Sequence, residues 1–275
     1  MQSSGISSPA TPQSAPRTPT LPATHARKRF ALAGRSQAFD PRIDAARGDL
    51  ADLRLVDRLF APHYVAAIQR SAARRVPLYA TVGGAPLSEV LAGEPFDVLE
   101  LSGDHAWGVS PVDGAVGFVE VTALAPAIDA THIVTGTGLP TLPMGNRVTG
   151  DQGRSAADIR PLDAPVADYV SLAERLVGVP AVPGGRSGAG VDSGGLLFLA
   201  LSLAGTRAPR FVDLQATIGH AVGEDAPMLR GDLLFFDGAA AAIAVDETHA
   251  ITVTDHVVRR NIAEIGTIIT RRRLP

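Results

Sequence analysis

Residues 190–196 read Gly-Val-Asp-Ser-Gly-Gly-Leu, and an apolar run continues from Leu196 to Leu201. Aspartate and serine accept hydrogen bonds from the free N–H groups of a helix start, and glycine commonly follows a helix end. The sequence therefore predicts a helix that begins at Asp192-Ser193, is capped by one of these two side chains, and stops at Gly205.

A second helix and several strands flank this segment. Residues 165–177 place apolar side chains at helical spacing before Gly178. Apolar bursts further along the chain predict antiparallel strands. These strands lie at residues 231–236, 243–245, 251–253 and 265–269. Two helices ahead of an antiparallel sheet indicate an α+β domain.

The chain before this domain has a different pattern. In residues 75–124, about five short apolar bursts are separated by glycine-containing turns, of which Asp113-Gly114 is typical of a tight hairpin. This size and pattern fit a small all-β barrel. Residues 131–158 are rich in Gly and Pro and contain only two strand-like pieces, Ile133-Val134 and Arg147-Val148.

The C-terminal segments resemble the NlpC/p60 peptidases, papain-like cysteine endopeptidases that cut the stem peptides of peptidoglycan. The resemblance runs from residue 165 to the end of the chain and implies a papain-like α+β fold. Four stretches support it in the family's order. They are Gly184-Gly185-Arg186-Ser187, the 190–196 stretch, Pro209-Arg210 followed by Gln215, and Gly231-Asp232-Leu233-Leu234-Phe235-Phe236.

The β-rich segment resembles the bacterial SH3-like modules that are attached to cell-wall enzymes. The residues that match are Gly93-Glu94, Gly103, Trp107 and Gly117-Phe118-Val119. Together the two resemblances imply five parts of the chain. They are a disordered tail (1–38), a connecting segment (39–64), an SH3-like domain (65–126), an eroded second SH3-like module or linker (127–162) and an NlpC/p60-like domain (163–275).

The family's catalytic residues are missing from this chain. The family's mechanism needs a thiolate at the helix N-terminus, a His base and a third polar residue that orients the His. The chain has no Cys. Ser193 stands at the Cys position, and Ala240 and Thr252 stand at the two family His positions, so the resemblance implies that all three are inactive.

The candidate binding residues surround Ser193 or belong to the SH3-like module. They are Asp192, Gly194, Arg210, Phe211 and Trp107. Gly194 replaces a family Ser, and Phe211 replaces a commonly acidic residue that holds the free amine of the substrate. For Trp107 a place in the barrel core is favoured over a ligand platform.

These features predict a catalytically inactive homologue that binds peptidoglycan-derived peptides or a protein partner. The alternative is a residual endopeptidase that hydrolyses γ-D-glutamyl-diamino acid peptides through Ser193. A serine hydroxyl needs an adjacent general base. Asp192, His249 and His256 are the candidates, but capping is favoured for Asp192, and surface or core roles are favoured for the two histidines.

Several other classes of protein are excluded or disfavoured. Asp192-Ser193-Gly194-Gly195 also resembles the nucleophile motif of trypsin-like proteases, but that family needs two β-barrels and the segment after Gly195 is helical. The formal net charge is −3, and since the residues before Asp40 contribute +5, the remainder has −8. An acidic body argues against nucleic acid as a partner.

Membrane, metal and export signals are also missing. No stretch approaches the roughly 18 apolar residues of a membrane span. The seven His show no ligand spacing, and no Gly-rich loop is followed by a Lys, so neither a metal nor another cofactor is predicted. No secretory signal is recognisable, which predicts a cytoplasmic location.

Overall fold

A computed structural model describes residues 38–137, 141–166 and 168–275. The tail predicted to be disordered, 1–38, lies outside the described residues except for its last position. Residues Phe39–Pro275 form one unit. Within the described residues the fold is mostly β, with twenty short strands and three short α-helices. None of these helices is long and apolar enough to cross a membrane.

The first part of the unit is a seven-stranded antiparallel sheet, called here the N-terminal sheet. Two short parallel strands precede it, β1 (Leu50–Asp52) and β2 (His63–Val65). The sheet has the strand order β5-β4-β8-β7-β6-β3-β9. Its strands are β3 (Ile68–Ala72), β4 (Val76–Tyr79), β5 (Pro86–Val90), β6 (Pro95–Ser102), β7 (His105–Val109), β8 (Val116–Glu120) and β9 (Leu124–Pro126).

The glycine-rich middle segment forms a small antiparallel sheet of order β11-β10-β12. Its strands are β10 (His132–Val134), β11 (Arg147–Val148) and β12 (Ile159–Pro161). The first two contain the strand-like pieces seen in the sequence, whereas β12 was not predicted.

Three helices follow. They are α1 (Tyr169–Arg175), α2 (Ser193–Leu203) and α3 (Val212–Gln215). The helix predicted at Asp192-Ser193 matches closely, whereas the helix predicted over residues 165–177 is shorter and spans only Tyr169–Arg175. The short hairpin β13 (Arg186–Ser187) and β14 (Gly190–Val191) directly precedes α2. Helix α2 is apolar around its whole circumference, which is typical of a helix buried on all sides.

The last part is a six-stranded antiparallel sheet, called here the C-terminal sheet, of order β15-β20-β16-β17-β18-β19. Its strands are β15 (His220–Ala221), β16 (Leu233–Phe236), β17 (Ala241–Ala244), β18 (His249–Val253), β19 (Val257–Asn261) and β20 (Ile268–Arg273). Leu233 and Phe235 pack with α1 and α2, while Leu234 and Phe236 belong to a second core on the opposite face. Both faces are thus covered, which explains the unbroken apolar run in β16.

Three sequence expectations were wrong in detail. The last strand begins at Ile268 rather than at residue 265 and runs through three arginines, and β19 was not predicted. Arg271 and Arg273 pair with the buried Asp232, which accounts for charged residues within this strand. Asp113-Gly114 lies in a longer loop between β7 and β8, where Asp113 is buried.

Candidate functional site

Ser193 is the first residue of α2, and Asp192 caps this helix. The Asp192 carboxylate accepts a hydrogen bond from the Gly195 N–H through Oδ1 at 2.7 Å. Its Oδ2 accepts from the Gly184 N–H at 3.0 Å. The cap therefore ties the start of α2 to the preceding Gly-Gly turn.

Asp192 also forms a bidentate ion pair with Arg210. Nη1 of Arg210 lies 2.9 Å from Oδ1 and Nη2 lies 2.7 Å from Oδ2. Arg210 is 2% exposed, so this guanidinium has few alternative partners. Because both Asp192 oxygens already accept hydrogen bonds from Arg210 and from the backbone, the geometry favours a capping and ion-pairing role over that of a base for Ser193.

Gln215 connects the Pro-Arg stretch to the start of α2. Its amide nitrogen donates to the Gly194 carbonyl at 2.9 Å and to the Pro209 carbonyl at 2.8 Å. Gly194 is itself held close, since a Cβ there would lie 2.7 Å from the Arg210 carbonyl oxygen. The spacing of Pro209, Arg210 and Gln215 thus has a structural cause, and Gly194 contributes backbone rather than a side chain.

The two family His positions offer no imidazole. Ala240 follows the 3-10 turn Asp237–Ala239 and directly precedes β17. Thr252 lies on β18, is 2% exposed, and donates its hydroxyl proton to the Ala241 carbonyl at 2.9 Å. Neither side chain supplies a proton acceptor of the kind that the family's mechanism requires.

The two candidate histidines each pair with a neighbouring aspartate. His249 Nδ1 is 3.2 Å from Asp246 Oδ1, and His256 Nδ1 is 2.9 Å from Asp255 Oδ1. Both rings are substantially exposed, and among the described residues neither lines the cleft at Ser193. The structure does not bring either histidine to Ser193.

Ser193 opens into a cleft of about 470 Å³. Asp192, Gly194, Arg210 and Phe211 also line it, so four of the five candidate binding residues meet at this place. The fifth, Trp107, is 3% exposed, and the Arg47 guanidinium covers its ring at 4.3 Å from the centroid. The Trp107 ring is therefore not presented as a platform.

Two charged residues of the cleft were missed from the sequence. Arg42 stacks over the Phe211 ring at 4.6 Å, and it donates through Nη1 to Asp213 at 3.0 Å and through Nη2 to Asp40 at 2.7 Å. The hydrogen bond from Arg42 holds the pKa of Asp213 below its usual value. No local sequence pattern predicts that Arg42 and Asp213 meet, because they are 171 residues apart in the chain.

A buried polar chain runs from the cleft into the N-terminal sheet, and it consists of Asp192, Arg210, Ser88, Asp113, Arg186 and Glu94. Nε of Arg210 donates to Ser88 Oγ at 3.1 Å, and Ser88 donates to Asp113. Nε of Arg186 lies 2.9 Å from Asp113 Oδ2, and Nη1 donates to Glu94 Oε1 at 2.9 Å. Although burial alone would raise it, the Arg186 charge and the Ser88 hydrogen bond hold the pKa of Asp113 below its usual value.

Three members of the buried polar chain belong to sequence motifs that indicated something else. Arg186 belongs to the Gly-Gly-Arg-Ser stretch, Glu94 to the Gly-Glu pair, and Asp113 to the expected hairpin turn. A charged residue inside a glycine-rich motif was the available signal, but the sequence does not show which charges meet.

Comparison with known proteins agrees with this architecture. Residues 78–124 match the family model of the bacterial dipeptidyl-peptidase SH3 domain. A crystal structure of an NlpC/p60 family protein from Bacillus cereus is similar over 76% of this chain and 100% of its own, with a TM-score of 0.62 and 15% identity. The chain has the NlpC/p60 fold. The predicted resemblance to NlpC/p60 proteins with an SH3-like module is thereby confirmed at the level of fold.

Other solved structures of NlpC/p60 proteins give lower TM-scores. NlpC2 of Trichomonas vaginalis covers 76% of this chain and 98% of its own, with a TM-score of 0.42 and 12% identity. RipD of Mycobacterium tuberculosis, described as a non-catalytic NlpC/p60 domain protein adapted to peptidoglycan binding, covers 39% of this chain and 95% of its own, with a TM-score of 0.35 and 22% identity. The sequence matches none of the curated proteins with which it was compared.

Proposed function

We propose that this protein is a catalytically inactive homologue of the NlpC/p60 peptidases that binds peptidoglycan-derived stem peptides in the cleft at Ser193. The main support is the set of groups around the Ser193 hydroxyl. The base position is Ala240, the Thr252 hydroxyl is used by a backbone carbonyl, and the Asp192 carboxylate is used by Arg210 and by two backbone N–H groups. A serine without a base is a poor nucleophile.

The cleft has the chemistry for a small peptide with both an amine and a carboxylate. Asp213 and Arg42 form an ion pair at its edge, with 59% and 34% of their side chains exposed. Exposed ion pairs contribute little net free energy, so ligand groups can exchange for this pair at low cost. Pro86, Leu87 and Phe211 supply an apolar wall next to the charged pair.

The proposal extends to the organisation of the chain. Residues 65–126 form an SH3-like barrel, residues 127–162 an eroded second module or linker, and residues 163–275 a papain-like α+β domain. The support is the SH3 family match at residues 78–124 together with the strand orders of the two large sheets. The SH3-like part contributes Pro86 and Leu87 to the cleft, so the binding site needs both parts.

Calorimetry and mass spectrometry on the full chain test this function. A γ-D-glutamyl-diamino acid tripeptide and tetrapeptide are titrated into the protein, and the same mixtures are analysed for cleavage after long incubation. We expect binding without cleavage, an unchanged affinity for Ser193→Ala, and an affinity at least about fivefold weaker for Phe211→Ala. Arg154→Met, an exposed change outside the cleft, serves as the control.

Two results would contradict the proposal. Cleavage that Ser193→Ala abolishes would establish the residual endopeptidase instead. Absence of heat with both stem peptides would remove peptide binding and leave a protein partner as the surviving form of the binding hypothesis.

A further inference from the structure

A second cavity, about 140 Å³ in volume, lies away from Ser193 and between three parts of the chain. Glu94 contributes from the loop before β6, Thr135 and Arg147 from the middle segment, and Phe198 and Ser202 from α2. A water molecule takes up about 30 Å³ in the liquid, so the space suits a few waters or one small ion. Peptides and nucleotides need several times this volume.

The charges that line this cavity do not balance. Three arginines, Arg147, Arg160 and Arg186, face a single carboxylate, that of Glu94. Both Glu94 oxygens are already used, since Oε1 and Oε2 accept from Arg186 and Oε2 also accepts from the Leu91 N–H. Arg186 is therefore neutralised locally, and the remaining charge is positive.

Arg147 forms no ion pair with any of the described residues. Its Nε is buried and has no hydrogen-bond partner among the described residues. Burial lowers the pKa of Arg147, the Glu94 charge opposes this, and the neighbouring Arg186 charge adds to the lowering. A partly buried guanidinium that lacks an ion pair of its own is unfavourable, and a bound anion would reduce this cost.

We propose that this cavity is a binding site for a small oxyanion, a phosphate or a carboxylate, with Arg147 as its principal charged ligand. The planar fork of a guanidinium matches two oxygens of either group. Arg160, whose Nε donates to the Ala164 carbonyl at 3.1 Å, adds a second positive charge to the lining. The apolar walls formed by Phe198 and Leu199 reduce screening and strengthen the attraction. The site goes beyond the proposed peptide binding and does not depend on it.

Thermal unfolding and calorimetry of the full chain test the site with inorganic phosphate and acetate as separate probes. Sodium chloride at matched ionic strength is the reference. We expect phosphate or acetate to raise the Tm in a saturable way and to bind with one-to-one stoichiometry, and the better of the two identifies the kind of oxyanion. Chloride is expected to give no saturable shift.

Variants assign the anion to this cavity. Arg147→Met is expected to weaken the affinity at least about tenfold, and in oxyanion-free buffer to be as stable as the wild type or more stable, since it removes a partly buried charge that lacks an ion pair. Arg147→Lys keeps the charge without the fork and is expected to bind severalfold more weakly than the wild type. Arg154→Met and Phe211→Ala are expected to keep the full response.

Three outcomes would overturn the site. Neither probe binds the wild type, or Arg147→Met responds like the wild type, or Phe211→Ala loses the response while Arg147→Met keeps it. The last outcome would place the anion in the Ser193 cleft. If Arg147→Met does not fold, calorimetry of the wild type and of Arg147→Lys decides.

Discussion

At the scale of single residues, Asp192 does two structural tasks at once. It caps α2 and neutralises the buried Arg210, and in both tasks its carboxylate is the acceptor. A helix start of this kind can hold a nucleophile, but here the adjacent acid is used for structure. Ser193 therefore lines the cleft without a general base to activate its hydroxyl.

The variant Asp192→Asn measures the ion pair. The amide keeps one acceptor for the helix cap but leaves the Arg210 guanidinium without its counter-charge. Because the Asp192 side chain is 35% exposed, we expect a loss of about 2 kcal/mol in the free energy of unfolding, below the roughly 3–5 kcal/mol of fully buried pairs. Urea unfolding measures it, with the exposed Asp129→Asn as control. Equal stability of the two variants would contradict this account.

The variant Ser193→Cys tests whether the nucleophile alone is missing. A thiol at the start of α2 gains from the helix dipole but has Ala240 where the base should stand. We expect no cleavage of the stem tripeptide by Ser193→Cys, measured by mass spectrometry after alkylation has confirmed that the thiol is accessible. Cleavage by this single variant would mean that another group serves as base.

At this scale the sequence named four candidate residues that line one cleft, but it did not indicate their hydrogen-bond partners. A cap at Asp192 or Ser193 followed from their place before an apolar helix, and in the structure Asp192 is the cap. The bonds from Arg210 and Gln215 join residues that are 18 and 21 positions away from their acceptors, and Arg42 reaches Asp213 from the far end of the chain. Local patterns contain no information on such pairs.

At the scale of elements, α2 packs unusually close to the turn before it. A Cβ on Gly195 would collide with the Gly185 carbonyl oxygen. The absence of a side chain at Gly195 is therefore a requirement of packing and not of backbone conformation.

The variant Gly195→Ala measures this close approach. Alanine favours a helix by about 1 kcal/mol over glycine, so a stabilisation would be expected if the helix were free. Because the rigid Gly185 backbone must move, we expect a net destabilisation of at least about 2 kcal/mol in urea unfolding. Gly223→Ala, where a Cβ meets no atom within 4 Å, is the matched control and is expected to be nearly neutral.

The cap of helix α1 makes the stability of the protein depend on pH. Asp168 caps this helix and accepts hydrogen bonds from Ser171 and Arg230. Burial opposes the shift, but these bonds and those of the backbone lower the pKa of Asp168 to about 2. The native state therefore binds the proton less readily than the unfolded chain.

The sign of this linkage gives a specific prediction. The contribution of Asp168 is fully present above pH 4 and is lost as the pH falls from about 4 to about 2. Asp168→Asn is expected to lower stability at neutral pH and to reduce the loss of stability in this interval. Urea unfolding of both proteins across this pH range measures the difference, and parallel curves would contradict it.

Elements were predictable where the pattern is local. Helix α2 and strand β16 were correct because a cap, a glycine stop and a continuous apolar run each mark them. Strand β20 was misplaced because the partners of Arg271 and Arg273 lie about 40 to 50 positions earlier, at Asp232 and at the carbonyl groups of residues 223–227. Strand β19 lies at the sheet edge and reads Val-Val-Arg-Arg-Asn, which has neither an apolar run nor a regular alternation to mark it.

At the scale of the whole molecule, the buried polar chain makes the two large sheets depend on each other. Arg186 comes from the segment before α2, and its partners Glu94 and Asp113 belong to the loops of the N-terminal sheet. All three side chains are almost completely buried. Separating Arg186 from Glu94 and Asp113 would leave these buried charges without their partners.

The variant Arg186→Met tests this dependence. Removing the cation leaves the buried carboxylates of Glu94 and Asp113 without their ion-pair partner. We expect a loss of about 3–5 kcal/mol in the free energy of unfolding, measured by urea unfolding. The surface pair Arg74–Glu120, half exposed on both sides, gives the matched control, and Arg74→Met is expected to cost less than about 1 kcal/mol.

Urea unfolding also tests whether the two large sheets unfold together. Trp107 fluorescence reports the N-terminal sheet, and hydrogen exchange at Leu233 and Phe235 reports the C-terminal sheet. In the wild type we expect the two signals to change in one transition. Two separate transitions in the wild type would contradict the structural coupling of the sheets.

Arg42 has a consequence for the strength of any interaction at Ser193. Because its guanidinium covers Phe211 and holds Asp213, a ligand that needs either residue meets an intramolecular competitor. The observed affinity is then the intrinsic affinity multiplied by the fraction of molecules in which Arg42 has moved away. Salt weakens exposed ion pairs. Higher ionic strength would therefore raise the fraction of molecules in which Arg42 has moved away, but it would weaken the attraction between the cleft and the ligand's own charges.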